Sequence, residues 1–282
     1  CRFMEQFNNI DKAKYDYEEH TWGHKIDLNG LDFPRLKFDH LLHAISTQMP
    51  TRVLEVGCGA GKFIFALAER FPKTYFTGVD ISTQAISKAK AFNQSEKVEF
   101  LIADAGEMEF EPDSFDAIII LDVLEHVRNP EKVIQDCCSF LKQGGLLHTF
   151  IPCEAQSIYW LSEKLIGFHT KERTAGHIQR FTRKDAVSLF TDKLTLLETK
   201  YSFHLLGSSL DYLLFTALLN KRLKKIFWNE NKYYTAGSKK LRSRILNGLL
   251  TFGSSIGYFE SKAMQHHKFL ATGVHLTFRK DK

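Results

Sequence analysis

The feature that most constrains this chain is a glycine-rich turn between a buried strand and a helix. The apolar run from Arg52 to Val56 predicts the strand, and the following helix begins at Lys62. Gly57, Gly59 and Gly61 occupy alternate positions between them. Because glycine has no Cβ, such a turn can bend sharply and approach a ligand closely. The first N–H groups of the helix then face that ligand, which favours a small and partly anionic group.

The spacing of this motif argues against two common ligand classes. A P-loop needs a glycine five positions before the Gly-Lys pair and a Ser or Thr after it, and here Val56 and Phe63 occupy those positions. A dinucleotide fingerprint needs a third glycine where this chain has Lys62. What remains is an acidic residue, Glu55, followed by alternate glycines. An ordinary tight turn is the alternative when the motif is taken alone.

The segment from residue 52 to residue 152 alternates between predicted strands and helices. This pattern is typical of a parallel sheet with helical crossovers. The helix that begins with Asn129 and Pro130 is expected to end at Gly144. Seven strands are predicted in all, at Arg52–Val56, Tyr75–Asp80, Val98–Ala103, Phe115–Leu121, Leu146–Ile151, Leu194–His204 and Ala271–Arg279. The sequence therefore predicts an α/β, doubly wound fold.

Acidic residues follow several of these strands at the edge where an open α/β sheet binds its ligands. Asp80 ends the second strand, roughly the ~20-residue distance at which an acid reaches ribose hydroxyls. Asp104 and the N–H of Ala105 suit the amino group and a ring nitrogen of adenine. Asp122 follows the fourth strand. Capping of a loop or helix is the alternative for each acid alone, but four acids at four strand ends are hard to explain in that way.

Two segments resemble the class I S-adenosylmethionine (SAM)-dependent methyltransferases. One is the acidic-x-Gly-x-Gly-x-Gly motif from Glu55 to Gly61; the other, from Asp122 to Val127, resembles the Asp-Val-Leu-Glu-His-Val signature of small-molecule enzymes such as those of quinone biosynthesis. The likeness covers residues 52–152 well and residues 176–182 more loosely. It implies SAM as cofactor and a Rossmann-like, seven-stranded sheet, mostly parallel with the last strand antiparallel. The residues expected to bind SAM are Glu55, Gly57, Cys58, Gly59, Gly61, Asp80, Ile81, Asp104, Ala105, Leu121 and Asp122.

The reaction implied by the resemblance is in-line transfer of a methyl group from a sulfonium to a nucleophile. The protein must then mainly align donor and acceptor and exclude water. If the acceptor must lose a proton, His126 and His177 are the candidate bases. A structural role in holding a loop is the alternative for both histidines. The twelve histidines are otherwise scattered, and the sequence predicts no metal site.

Residues 205–269 exceed what a minimal doubly wound domain needs, and two apolar stripes at helical spacing predict a helical insertion there. Residues 220–245 hold nine basic residues and one acid, Glu230. An apolar helix beside such a cluster can lie on an anionic membrane. The alternative is a lid over the substrate with a solvated basic face. Nucleic acid is disfavoured, because the Asn/Asp-Pro-Pro-Tyr segment of enzymes that methylate bases is absent.

We therefore predict an N-terminal helical cap at residues 1–50, a SAM-binding domain at residues 51–204 and 270–282, and the insertion at residues 205–269. Peripheral membrane contact would involve residues 205–260. The predicted function is methyl transfer to a small molecule with an apolar or lipidic part. A SAM-binding protein without transfer, a membrane-docking adaptor and an RNA methyltransferase are the alternatives.

The cysteine content and the length of the apolar runs bear on location. Five cysteines are an odd number without metal-ligand spacing, which favours a reducing compartment. No run reaches the ~18 apolar residues of a spanning helix, and no signal peptide is recognisable. The sequence thus predicts a cytoplasmic protein, with a membrane-peripheral location as the variant that the insertion would support.

Overall fold

The computed structural model describes residues 23–166, 170–230 and 241–281. The first 22 residues of the predicted N-terminal cap lie outside this description, as do Lys232, Lys239 and Lys240 of the basic segment. The strands are β1 (Arg52–Val56), β2 (Tyr75–Asp80), β3 (Val98–Ile102), β4 (Phe115–Leu121), β5 (Leu141–Pro152), β6 (Thr195–Ser202) and β7 (Gly273–Arg279). The helices are α1 (Phe33–Ser46), α2 (Lys62–Arg70), α3 (Thr83–Phe92), α4 (Pro130–Phe140), α5 (Ile158–Ile166), α6 (Thr170–Thr174), α7 (Arg183–Thr191), α8 (Leu205–Ala217), α9 (Lys221–Glu230) and α10 (Leu241–Met264).

One seven-stranded sheet organises the described residues, in the order β3-β2-β1-β4-β5-β7-β6. The first five strands pair in parallel, and β7 runs antiparallel to both β5 and β6. The predicted fold class is therefore confirmed. Because the strand order reverses between β1 and β4, a crevice opens beyond the carboxyl ends of these two strands.

Two apolar cores cover the two faces of the sheet. Side chains alternate between faces along a strand, so Val53 packs in one core while Leu54 packs in the other. The core with Val53 also contains Leu41 of α1 and Ile64 of α2, and the opposite core contains Val133 of α4. Helices on both faces explain why the parallel strands are apolar along most of their length.

The expected end of α4 at Gly144 was wrong. The helix ends at Phe140, and β5 begins at the next residue, Leu141. Leu141 is fully buried and pairs with Phe115 of β4. Gly144 has a φ of +76° and donates its N–H to the carbonyl of Lys280. Residues 141–144, which the sequence assigned to the helix, thus belong to β5.

Helices α8 and α10 cross closely above α1. A Cβ added to Gly257 would lie 3.2 Å from the Cα of Gly207 and 2.5 Å from the ring of Phe33. The hydroxyl of Tyr258 in α10 donates a hydrogen bond of 3.0 Å to Asp39 of α1. These contacts join the long helix of the predicted insertion to α1. The division of the chain into domain and insertion stays a prediction.

In the three described ranges, no helix combines the length and the apolar character required to cross a bilayer.

Candidate cofactor and acceptor site

A cavity of about 1080 Å³ lies at the crevice beyond the strand ends. It is bounded by the glycine turn after β1, the residues that follow β2, β3 and β4, and the helices α5, α8 and α10. Both candidate bases, His126 and His177, lie in its wall. The predicted cofactor residues that line it are Glu55, Gly57, Cys58, Gly59, Asp80, Ile81, Asp104, Ala105, Leu121 and Asp122. Gly61 is set back from the wall, and the binding role of the others stays a prediction.

The three glycines of the turn are required for different steric reasons. All have left-handed backbones, with φ of +72° at Gly57, +55° at Gly59 and +82° at Gly61. A Cβ on Gly57 would lie 2.3 Å from Val123, and one on Gly61 would lie 2.7 Å from Phe100. At Gly59 a Cβ would meet no atom within 4 Å in the described parts of the chain beyond its own neighbours in sequence. Gly57 and Gly61 therefore permit close packing, whereas Gly59 leaves space for a ligand.

Asp80 holds the glycine turn in place. One carboxylate oxygen accepts the N–H of Gly59 at 2.7 Å, and the other accepts the N–H of Ser82 at 2.9 Å. A carboxylate offers about four acceptor positions, more than these two bonds use. The sequence predicted the ribose contact but not the brace to Gly59, which depends on the fold.

Glu55 is a buried acid that forms no ion pair with the residues the structure describes. Its Oε2 has no hydrogen-bond partner in the described parts of the chain. Burial raises the pKa of Glu55 to about 8, and Asp80 raises it further, while Lys62 opposes the shift. The side chain thus holds a proton at neutral pH and ionises when a cation approaches. An ammonium group is a ligand of that kind.

The exposed side chain of Asp104 has a local partner as well as a place at the cavity. Its Oδ1 accepts the N–H of Gly106 at 2.8 Å, which closes a tight turn after β3. The loop-capping role considered from the sequence is therefore present on one oxygen. The second oxygen leaves room for the predicted adenine contact.

Asp122 forms an ion pair with Lys37 of α1. The Nζ of Lys37 lies 2.7 Å from Oδ1 of Asp122 and 4.0 Å from the centre of the Phe150 ring. Asp122 has a φ of +55°, an uncommon conformation for a residue other than glycine. Burial alone would raise the pKa of Asp122, but Lys37 outweighs it and the pKa is lowered. The sequence did not identify Lys37, since a lysine in an amphipathic helix carries no sign of its partner.

The candidate bases meet in one wall of the cavity. The rings of His126 and His177 are perpendicular, with centroids 4.9 Å apart. The Nδ1 of His126 is bonded to the carbonyl of Gly176 at 3.1 Å. Burial lowers the pKa of His126 to about 4, and His177 adds to this shift. His126 is therefore neutral at physiological pH.

His177 has an acidic neighbour that the sequence did not reveal. Its Nδ1 lies 3.1 Å from Oε1 of Glu154, which follows β5. Burial would lower the pKa of His177, but Glu154 more than offsets it and the pKa is raised. Burial would raise the pKa of Glu154, but His177, Lys171 and Arg180 hold it at about 2. The pair is thus a carboxylate facing an imidazole.

Glu125, His126 and His177 bring one potential metal-ligand atom each within 4.8 Å of one another. Both oxygens of the buried Glu125 carboxylate lack a hydrogen-bond partner among the described residues. Burial raises the pKa of Glu125 to about 8, with His177 acting in the opposite direction. The sequence predicted no metal site, because His177 is distant from the other two along the chain and the fold alone brings them together.

The side of the cavity away from the strand ends is largely aromatic and aliphatic. The rings of Tyr159 in α5 and Tyr212 in α8 stack at 4.5 Å. Lys171 of α6 lies 3.6 Å from the ring centre of Phe215 and pairs with Asp211 at 2.6 Å. Further lining residues are Trp160 of α5, Leu210 and Leu214 of α8, Leu218 just after α8, and Leu249 and Leu250 of α10.

Comparison with known proteins identifies the family. A family model described as a methyltransferase domain matches residues 48–193, just over half of the 282 residues. The chain belongs to this family. The resemblance read from the two sequence motifs is thereby confirmed.

Individual relatives of this methyltransferase-domain chain cover only part of it. A ubiquinone biosynthesis O-methyltransferase from Dechloromonas aromatica (strain RCB) is 34% identical over 145 residues, which is 49% of this chain and 61% of that protein. The chain thus spans about 61% of the length of the curated relatives that it first matches.

Solved structures share the fold at lower identity. The [4+2]-cyclase SpnF has a TM-score of 0.57 and 16% identity, covering 93% of this chain and 87% of its own. A phosphoethanolamine N-methyltransferase 2 from Haemonchus contortus, in complex with SAM, has a TM-score of 0.56 and 18% identity, covering 87% of this chain and 52% of its own. At these identities the likeness shows the fold alone.

Proposed function

We propose that the chain is a SAM-dependent methyltransferase that acts on an oxygen of a small molecule with an apolar part. The observation that carries this proposal is the single cavity in which the glycine turn and the strand-end acids meet. The family match and the curated relatives named as O-methyltransferases support it.

The residues present fit SAM in three respects. Among the described residues, Gly59 has open space where its Cβ would stand and Glu55 has a buried carboxyl oxygen without a hydrogen-bond partner, and Asp80 lines the same cavity beside the glycine turn. Glu55 and the glycine backbone would hold the amino-acid end, Asp80 the ribose hydroxyls and Asp104 the adenine amino group. SAM supplies a methyl group that is already activated, so the chain needs only to orient both reactants and exclude water.

A hydroxyl acceptor must lose its proton during transfer, and we assign His177 as the base. His177 lines the cavity, is buried, and has a carboxylate against its Nδ1. His126 shares the cavity wall, but its Nδ1 is bonded to the neutral carbonyl of Gly176, which stabilises a protonated ring less than a carboxylate does. That bond supports a role for His126 in holding residues 176–179.

The size and lining of the cavity support an acceptor with an apolar part. Small-molecule pockets commonly enclose about 300–1,000 Å³, and this cavity of about 1080 Å³ is larger. It therefore has room for an acceptor beside the cofactor. The wall farthest from the strand ends is built from rings and aliphatic side chains, which favour burial of an apolar group.

A peripheral membrane contact is the second part of the proposal. Helix α10 exposes Leu241, Ile245, Leu249 and Phe252, four apolar residues at helical spacing. Leu249 also lines the cavity, so the exposed face adjoins the apolar wall. Helix α9, which precedes α10 in the chain, begins with Lys221, Arg222, Lys224 and Lys225. An exposed apolar helix face and a basic helix in the same segment suit an anionic bilayer from which a lipidic acceptor could enter.

Methyl-labelled SAM tests the proposed activity. Incubation with a total lipid extract and with an aqueous extract should place label in the lipid fraction, and His177→Gln should reduce it. A SAM-binding protein without transfer is the second candidate, because a cyclase shares the fold and fold does not determine chemistry. That candidate predicts SAM binding with label in neither fraction.

A further inference from the structure

Glu154 lies at the carboxyl end of β5, where it begins a short 3₁₀ turn from Glu154 to Gln156. Its side chain is buried and lines the cavity. We propose that Glu154 is a positioning residue that fixes the imidazole of His177 with Nδ1 toward its carboxylate and Nε2 toward the acceptor. This inference rests on the proposed function, in which His177 receives the acceptor proton.

The contacts of Glu154 single out His177 as its nearest basic partner. Its Oε1 lies 3.1 Å from Nδ1 of His177 but 3.8 Å from Nζ of Lys171, and its Oε2 lies 3.9 Å from Arg180. Lys171 has a nearer acid, Asp211, at 2.6 Å.

Arg180 likewise has nearer acids than Glu154. Its guanidinium lies 3.2 Å from Glu172 and 3.5 Å from Glu163. A buried carboxylate needs a close partner to stay ionised. Because Lys171 and Arg180 each lie closer to other acids, His177 is the main basic partner of Glu154.

The backbone beside His177 is fixed independently of Glu154. The N–H groups of Ile178 and Gln179 both donate to the carbonyl of Glu125 at 2.9 Å. The ring of His126 packs edge to face against His177. These contacts place the ring but leave the choice of protonated nitrogen open. In an imidazole, the bond made by one nitrogen decides the state of the other.

An acceptor for Nδ1–H would therefore leave Nε2 as the proton acceptor of the neutral ring. Nδ1 and Oε1 lie 3.1 Å apart without forming a hydrogen bond in the structure. Catalytic bonds of this kind often align only when the reactants are bound. The geometry thus points to a base oriented by an acid that comes from a different strand end.

A purely structural role would have Glu154 neutralise Arg180 and Lys171 without affecting the ring of His177. Glu172→Gln is the matched control, because Glu172 contacts Arg180 in the same cluster, on the side of the guanidinium and not of the His177 ring. Glu154→Gln retains the size of the side chain, and Glu154→Asp retains its charge at a shorter reach.

The test combines ¹⁵N-histidine NMR of the full chain with methyl transfer from labelled SAM into a total lipid extract. At a pH above the titration of His177, the wild type and Glu172→Gln should show the tautomer protonated at Nδ1. Glu154→Ala should show a mixture of tautomers. We expect Glu154→Ala to lower the rate of label transfer by roughly 10- to 100-fold, with SAM affinity within about twofold of wild type and partial recovery in Glu154→Asp.

Unchanged ¹⁵N shifts of His177 in Glu154→Ala would overturn the proposal. If Glu154→Ala does not fold, Glu154→Leu decides by the same criterion, because its side chain is of similar size and cannot accept a hydrogen bond. Absence of label in any fraction with the wild type would refute the proposed function instead. The NMR result would still establish whether Glu154 sets the tautomer.

Discussion

Gly59→Ala separates ligand binding from folding at the glycine turn. Gly59 has a φ of +55°, and beyond its chain neighbours its added Cβ would meet no atom of the described residues within 4 Å. Because Gly59 lines the cavity, the methyl group would occupy cavity space. If the cofactor lies against this backbone, the methyl group occupies its place.

The expected cost to folding is small and can be matched elsewhere in the chain. A left-handed conformation costs an L-residue roughly 1–2 kcal/mol. For a chain of this size, that corresponds to a fall in Tm of about 2–8 °C. Gly144→Ala is the control, because Gly144 has a φ of +76°, also has open space at its Cβ, and does not line the cavity.

Calorimetry with SAM and thermal unfolding provide the two measurements. Both variants should lose similar stability, whereas only Gly59→Ala should lose SAM affinity, by at least about tenfold or ~1.4 kcal/mol. Gly57→Ala should be far less stable than either, because its Cβ would lie 2.3 Å from Val123. Equal SAM affinity in Gly59→Ala and Gly144→Ala would refute the placement of the cofactor against the turn.

Three further predictions concern other parts of the molecule. Because burial raises the pKa of Glu55 to about 8, SAM affinity should rise with pH up to that value, by as much as about tenfold per pH unit, and binding at pH 7 should release a proton. Calorimetry in buffers of different ionisation enthalpy measures both the affinity and the proton release, and a SAM affinity that does not change with pH would contradict the role of Glu55. Burial lowers the pKa of His148 to about 3, so His148 is protonated at a higher pH in the unfolded chain than in the folded one, and the free energy of unfolding falls as pH drops below 6.5. In urea unfolding, His148→Gln should reduce the loss of stability between pH 6.5 and 5.5 by about 1 kcal/mol. An unchanged dependence of stability on pH would contradict the role of His148. The protein should sediment with anionic liposomes at low salt and be released at high salt. Phe252→Ser should bind the liposomes more weakly, because Phe252 is exposed on α10 and does not line the cavity. Absence of sedimentation at low salt would contradict the proposed membrane contact.

Local sequence patterns were sufficient to predict the sheet and the convergence of its strand ends at one edge. The glycine turn, Asp80 and Asp104 could be placed because parallel strands direct their carboxyl ends to one edge. The same rules failed at Gly144, where pairing of Leu141 with Phe115 overrides a helix-stop signal.

Partners that join separate elements were not predictable from local patterns. Lys37 resembles any lysine in an amphipathic helix until α1 packs beside Asp122. Glu154 and His177 are separated along the chain, and only the return of the segment after α6 brings them to 3.1 Å. Ion pairs of this kind depend on the relative positions of helices, which hydrophobic periodicity does not encode.

A comparison of the binding of three ligands tests the central claim most directly. Calorimetry of the full chain with SAM, NAD and ATP should give one site for SAM and none for the two phosphate-containing nucleotides. Asp80→Ala should weaken SAM binding strongly, because Asp80 also holds Gly59 in position. Binding of NAD or ATP without binding of SAM would contradict the claim that this cavity accepts an adenosine-bearing sulfonium.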